Sequence, residues 1–268
     1  MLNLALLDQL RNGLVSVFRS PDNGLEFLTY LNLRLPCLYD LVAVSMALSD
    51  DAASRLRHLF LEYTDATGPM GSLEYTRGDE DDEDEEDFLY SNLQEQFKNI
   101  DYMGDLWDVV GRCRNLESLG LAGTQLINCE AMDWRPRGDG LKILRLRRAA
   151  MTYDNIVRLL SSSQGGPSNI AELDMQDVEL LDRTWAAVFD FMKTCGTIRY
   201  FDIWNLNYDR CGESNHYREG YDGRPWENST MVWTENEEDR ERLDELVKKV
   251  VQDGGTMGRN QTSFGDWD

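Results

Sequence analysis

The sequence predicts an α/β fold: a curved parallel sheet with helices on its convex side, wound as a solenoid. One observation behind that prediction is a short apolar phrase, at relative positions 1, 4 and 6, that recurs along the chain. The other is that stretches of helical period separate its occurrences. The phrase stands at Leu116, Leu119 and Leu121, at Leu141, Leu144 and Leu146, at Ile170, Leu173 and Met175, and at Ile198, Phe201 and Ile203. Upstream it is written at Leu28, Leu31 and Leu33 and at Leu56, Leu59 and Leu61. First members fall at 28, 56, 116, 141, 170 and 198, in steps of 28, 60, 25, 29 and 28.

Positions 4 and 6 are two residues apart, so in a strand both point to one face, while positions 3, 5 and 7 point to the other. A period of about 20 to 29 residues with the pattern L-x-x-L-x-L is the leucine-rich-repeat signature. The expected architecture is therefore a leucine-rich-repeat solenoid of about six irregular repeats. One strand–helix unit cannot bury its apolar face alone; stacked neighbours close a continuous core. An apolar residue also stands five places after four of the frames: Leu126, Met151, Leu180 and Tyr208.

Taken in order, residues 1–24 read as an N-terminal capping helix. Leu6, Leu7, Leu10, Leu14 and Phe18 form its inward stripe, and it ends near Ser20 and Pro21. The solenoid spans 25–208. A helix follows Pro36, with Asp50 and Asp51 closing it. Residues 65–100 are an acidic insertion within the second repeat, because Gly68, Pro69 and Gly71 precede the unbroken acidic run Asp79–Asp87. Such a like-charge block reads as a solvated loop or as a docking segment for a basic partner. Calcium-loop spacing is not met, since Asp84 and Tyr90 occupy the places of the required Gly and Glu. After the run, Phe88, Leu89 and Leu93 are placed to pack back on the repeats.

Leu106, Trp107, Val109 and Val110 supply the helix that the second repeat still lacks. Later helices carry Ile156, Leu159 and Leu160, and then Trp185, Val188, Phe189 and Met192, at i, i+3, i+4 and i+7 spacing. Residues 209–252 form a C-terminal loop and capping helix. Thr234 and Glu237 have capping-box spacing, and Leu243, Leu246, Val247, Val250 and Val251 form a stripe. A disordered tail is expected over 253–268.

The net charge of −22 repels nucleic-acid phosphates and anionic membrane surfaces, which excludes both as partners. Five scattered cysteines without a C-x-x-C pair indicate a reducing compartment, cytoplasmic or nuclear. The first residues lack a basic region ahead of their apolar run, and no stretch is long enough to span a bilayer. Only two histidines occur, His58 and His216, and no nucleophile elbow, phosphate loop or H-E-x-x-H is present. The expectation is a protein that is not an enzyme, with no catalytic residues, metal or cofactor.

Function is instead expected on the concave face, which positions 3, 5 and 7 define. The six strands present Tyr30, Asn32 and Arg34; His58, Phe60 and Glu62; Ser118, Gly120 and Ala122; Ile143, Arg145 and Arg147; Glu172, Asp174 and Gln176; Tyr200, Asp202 and Trp204. Aromatic residues and arginine most often anchor interfaces. The candidate partner-binding set is therefore His58, Phe60, Arg145, Arg147, Asp174, Tyr200, Asp202 and Trp204.

The repeats lack an Asn three places after the frame, where Thr64, Thr124, Ala149, Val178 and Leu206 stand. With the phrases GLKILRLRRAAMTYDNIVRLL and WTENEEDRERLDELV, residues 25–252 resemble the leucine-rich region of fungal F-box-type proteins. That resemblance implies a substrate receptor of a ubiquitin ligase, which holds a protein on its repeats and meets a Skp-type adaptor and cullin through an F-box. Residues 1–24 are too short for an F-box, and Leu35 and Pro36 fall inside the first repeat. Two alternatives stand beside it: a stand-alone or truncated repeat protein with no ligase link, and an acidic binder of basic proteins acting through residues 79–87.

Overall fold

The computed structural model describes residues 3–20, 25–64, 93, 96–196, 198–208, 232, 234 and 236–258. The acidic run, Phe88, Leu89, His216, the polar segment 210–231 and the tail from 259 lie outside the described residues. Strands and helices alternate along the chain. Helix α1 (Leu4–Arg19) leads to strand β1 (Tyr30–Leu35), helices α2 (Leu38–Ser45) and α3 (Asp50–Arg55), and β2 (His58–Tyr63). Then come α4 (Met103–Arg112), β3 (Ser118–Asn128), β4 (Ile143–Met151), α5 (Tyr153–Leu159) and β5 (Glu172–Leu180). The described chain closes with α6 (Trp185–Thr194), β6 (Tyr200–Trp204), β7 (Asn207–Tyr208), α7 (Glu237–Gln252) and β8 (Thr256–Met257).

The result is an α/β fold with one sheet of eight strands in the order β1-β2-β3-β4-β5-β6-β8, with β7 beside β5. Every pairing between these strands is parallel. Parallel neighbours need a crossover, and most crossovers here carry a helix. The sequence frames fall into one register. Leu31, Leu59, Leu119, Leu144, Leu173 and Phe201 are consecutive partners across six strands. The five from Leu59 onward are wholly buried, as are Leu141, Met151, Ile170, Met175, Leu180 and Ile203. Each such Leu or Ile contributes about 1.5–3 kcal/mol by leaving water, so the core is a sum of many similar terms.

A second regularity lies just past the frame. Arg148, Asp177 and Asn205 occupy equivalent positions in β4, in β5 and between β6 and β7, and all three have positive φ, of 55°, 53° and 52°. The left-handed conformation is uncommon for residues with a Cβ, and a short polar side chain eases it. Here the three side chains form a ladder: Asn205 Nδ2 donates to Asp177 Oδ1, and Arg148 lies 3.9 Å from Asp177.

Several local expectations are corrected. Asp50 and Asp51 open a helix instead of closing one, because the Ser49 side chain accepts from Ala52 N as its N-cap. The crossover from β3 to β4 makes turns over 129–142 and no helix; Met132 and Trp134 fill that place. Leu126 is 44% exposed, because β3 carries extra residues between Ala122 and Ile127. That bulge brings Cys129 to the place expected for Leu126, beside Ala150 and Met151. It is seated from above, where the Tyr63 ring lies over Gly123 and a Cβ would meet it at 2.3 Å. One expectation in this region holds: Leu93, expected to pack back on the repeats, is wholly buried, and Asn99 caps α2 by accepting from Leu38 N at 3.0 Å.

At the C-terminus, Asn236 rather than Thr234 caps α7. Thr234 is buried and donates to Asp239 at 2.6 Å. The segment expected to begin a disordered tail adds a strand: Thr256 and Met257 pair with Tyr200 and Phe201. At the N-terminus α1 is rotated from the expected stripe. Leu6, Leu10 and Leu14 are exposed, while Arg11 is buried against Asp40 at 2.5 Å.

Candidate functional site

All eight candidate residues stand on one sheet face, because they occupy odd positions of in-register strands. Strand β3 contributes only Ser118, Gly120 and Ala122 there, which leaves a trough one strand wide. Longer side chains from both banks close it. His58 Nδ1 lies 2.8 Å from Ser118 Oγ, and the Arg145 guanidinium sits 5.8 Å from the Phe60 ring centroid. Glu62 on β2 and Arg147 on β4 face each other over Ala122, close enough for Arg147 to stabilise the Glu62 carboxylate. The trough floor is consequently buried.

Oppositely charged pairs cross the remaining strands. Arg34 lies 3.5 Å from Glu62, Arg145 is 3.3 Å from Glu172, and Arg147 is 3.9 Å from Asp174. Gln176 Nε2 donates to Asp174 Oδ1 at 3.0 Å. These pairings leave Asp202 as the surplus acid. It is the register partner of Asp174, accepts from Tyr200 OH at 3.3 Å, and is 2% exposed. Its Oδ1 atom is buried with no hydrogen-bond partner among the described residues.

The cover over Asp202 is backbone: a Cβ added at Gly258 would lie 2.3 Å from Asp202 Cγ. Burial, and then the neighbouring Asp174 charge, push the Asp202 carboxyl up to about 6. Burial raises Asp174 and Glu62 as well, against the pull of their arginines. It also lifts the Tyr200 phenol to about 12, with Asp202 adding to the effect.

The face therefore has two layers. Phe60, Arg147, Asp174 and Asp202 are buried and form the base, in which Arg147 and Asp174 pair. His58, Arg145, Tyr200 and Trp204 are half-buried and stand above it. The eight do not form one cluster, since His58 and Phe60 are separated from Tyr200 and Trp204 by three strands. Reading by residue type missed Glu62 and Glu172, the partners that hold the arginines. Both occupy odd positions, and lining up the frames by charge would have found them. Gly258 has no such signal, because no frame precedes it.

The described thiols are packing groups. Burial raises Cys113 and Cys195 to about 11 and Cys129 further still. No helix among the described residues is long and apolar enough to cross a membrane. Comparison of the chain with protein-family models, with curated proteins and with solved structures finds no match in any of the three. What the fold and this face define is an α/β protein with a parallel sheet that presents a charge-paired, aromatic-flanked surface.

Proposed function

We propose that the chain is a leucine-rich-repeat solenoid of about six irregular repeats whose odd-position face holds a partner protein, without enzymatic chemistry. The single observation that carries this reading is the layered face. Glu172 holds Arg145 at 3.3 Å beside the buried Arg147–Asp174 pair, while Arg145, Tyr200 and Trp204 keep accessible surface. Arginine and aromatic side chains held rigid lose little entropy on docking, which is what interface anchors need. The one-register frames and the recurring left-handed position past them support the repeat reading.

The test is affinity capture of the intact chain from extract of its own cells, beside the double variant Arg145→Glu, Trp204→Ala. Loss of partners from the variant, with its unfolding midpoint unchanged, is the expected result. Retention of every partner overturns the assignment to this face. In the same experiment, recovery of a Skp-type adaptor and cullin supports the F-box-type substrate-receptor role that the resemblance implies. Partners recovered without them assign the chain as a free-standing recognition module.

A further inference from the structure

The two edges of the sheet are finished differently. At the C-terminal edge β8 is two residues long with α7 packed beside it, and shortness is one way natural sheets blunt an edge. At the N-terminal edge β1 keeps register with β2 over six residues without a bulge, and among the described residues no strand pairs with its outer side. Thr29 and Leu35 turn their carbonyls to β2, accepting from His58 N at 3.0 Å and Thr64 N at 3.1 Å. Backbone groups alternate along a strand, so the N–H and C=O of Tyr30, Asn32 and Arg34 point outward. All three residues are exposed. Helix α1 is outermost at the same end, because α2 has α4 on one side and α1 on the other. It meets α2 through Arg11, and Phe18 packs on the core. At about 100° per residue, Leu6, Leu10, Leu14 and Val17 stand about a quarter-turn round the helix from those two. Their exposures run from 36% to 57%. Residues 1–36 hold three acids, Asp8, Asp22 and Glu26, and three bases, Arg11, Arg19 and Arg34, so none of the net charge of −22 comes from this stretch.

We propose that this end binds a second copy of the same chain, about a two-fold axis through the outer edge of β1 at Asn32. An extended peptide would pair with the strand edge but leave the α1 flank in water. A second copy brings a strand and a helix at the same spacing, so one contact covers both. Under that axis β1 lies antiparallel to its mate, with Tyr30 opposite the second copy's Arg34 and Asn32 opposite its own mate. The outward groups then form three hydrogen-bonded pairs, about six bonds in all. A slip of one residue would put every side chain on the wrong face. On the helix side Leu31 meets the second copy's Leu33. On the other side Arg34, held by Glu62 at 3.5 Å yet 52% exposed, comes over the second copy's Tyr30 ring. The α1 flanks meet antiparallel, Leu6 against Val17 and Leu10 against Leu14. Interface centres are depleted in charge, and a neutral end spares two anionic chains like-charge contact where they touch. An end about 24 Å long and about 20 Å deep covers roughly 500 Å² per copy, about 1,000 Å² in the pair. That reaches the lower bound for a specific interface and suits a reversible dimer. Dilute chains are therefore monomers with the α1 stripe in solvent.

The test is sedimentation velocity of the full chain from about 1 to about 200 µM, the affinity range of interfaces this small. The weight-average mass is expected to rise with concentration toward twice that of the monomer. Leu6→Lys together with Leu10→Lys is expected to hold it at the monomer value throughout, with far-ultraviolet circular dichroism unchanged. Asn32→Pro, which removes an outward N–H and no bond to β2, is expected to do the same. In the paired strands the two Asn32 Cα atoms lie about 5.5 Å apart, within disulfide reach. Asn32→Cys is therefore expected to give a cross-linked dimer on mild oxidation, whereas Asn12→Cys, exposed on the other flank of α1, gives none. A chain that stays monomeric at every concentration leaves this end to a different partner and overturns the proposal. So does a dimer that survives both the lysine and the proline variants, or one that cross-links equally at positions 12 and 32.

Discussion

The two ends of the sheet are each closed by a helix tied down through one buried charge, but the ties differ in completeness. At the C-terminal end Asp239 is wholly buried, and its carboxylate accepts from Ala186 N at 2.7 Å, Tyr208 OH at 2.6 Å and Thr234 Oγ1 at 2.6 Å. One residue of α7 thereby caps α6, holds β7 and fixes the chain leading into its own helix. Outside it, Lys193 bridges to Glu245 at 2.6 Å. At the N-terminal end Arg11 meets Asp40 at 2.5 Å and Asp8 at 2.6 Å, and stacks 4.4 Å over the Tyr39 ring. There the stripe of α1 stays in solvent: Leu6, Leu10 and Val17 are each more than half exposed. A buried charge can orient a helix without the helix burying its apolar face. Sequence periodicity alone does not say which of the two wins.

The largest expected effect is at the complete tie. Asp239→Ala strands three buried donors and should lower unfolding stability by about 3–5 kcal/mol, seen as a shifted denaturant midpoint. A loss below about 1 kcal/mol would mean that α7 is held by its apolar stripe alone. Next is Arg11→Met, which among the described residues leaves Asp40 with only the Cys37 thiol as a side-chain donor, at 3.3 Å. A cost of about 2 kcal/mol is expected, confined to α1. Hydrogen exchange should speed up in residues 4–19 and stay unchanged in the strands. Global loss of protection would make the two ends equivalent.

Asp202→Asn tests the acid that the strand at the C-terminal edge buries. A carboxyl whose folded pKa is raised binds its proton more tightly in the folded chain. Its burial penalty is absent well below the ordinary value of 3.8, small at pH 4, grows as pH rises toward about 6, and is complete above that. The amide should therefore stabilise the chain by on the order of 2 kcal/mol at pH 7.5 and leave the melting temperature at pH 4 nearly unchanged. An equal gain at both pH values would remove protonation as the cause. The smallest effect is expected from Leu10→Lys on the outer face of α1, within about 0.5 kcal/mol. A larger loss in the same denaturant titration would show that the stripe is covered after all.

The repeated frame was legible because the two-residue period of a strand and the spacing of Leu144 and Leu146 are local facts. Any register that buries one frame buries them all. The odd-position face follows from the same count, which puts Arg145, Asp174, Tyr200 and Trp204 on it. Which of them stays accessible was not legible. Phe60, Arg147 and Asp174 are covered by neighbours on other strands, and Asp202 by the backbone of Gly258, more than fifty residues away in sequence. The Thr234 capping box failed for a like reason: Thr234 donates to Asp239, whose carboxylate is held buried by Ala186 and Tyr208 from earlier elements.

Sequence by itself determined the element type, the core positions and the common face, since each depends on side chains a few residues apart. Only the tertiary structure decided the tilt of α1, the missing crossover helix after β3 and the buried state of Asp202. Each of these turns on which distant charge or backbone segment arrives beside a residue. Desolvation is set by that arrival and not by the residue's own neighbours in the chain.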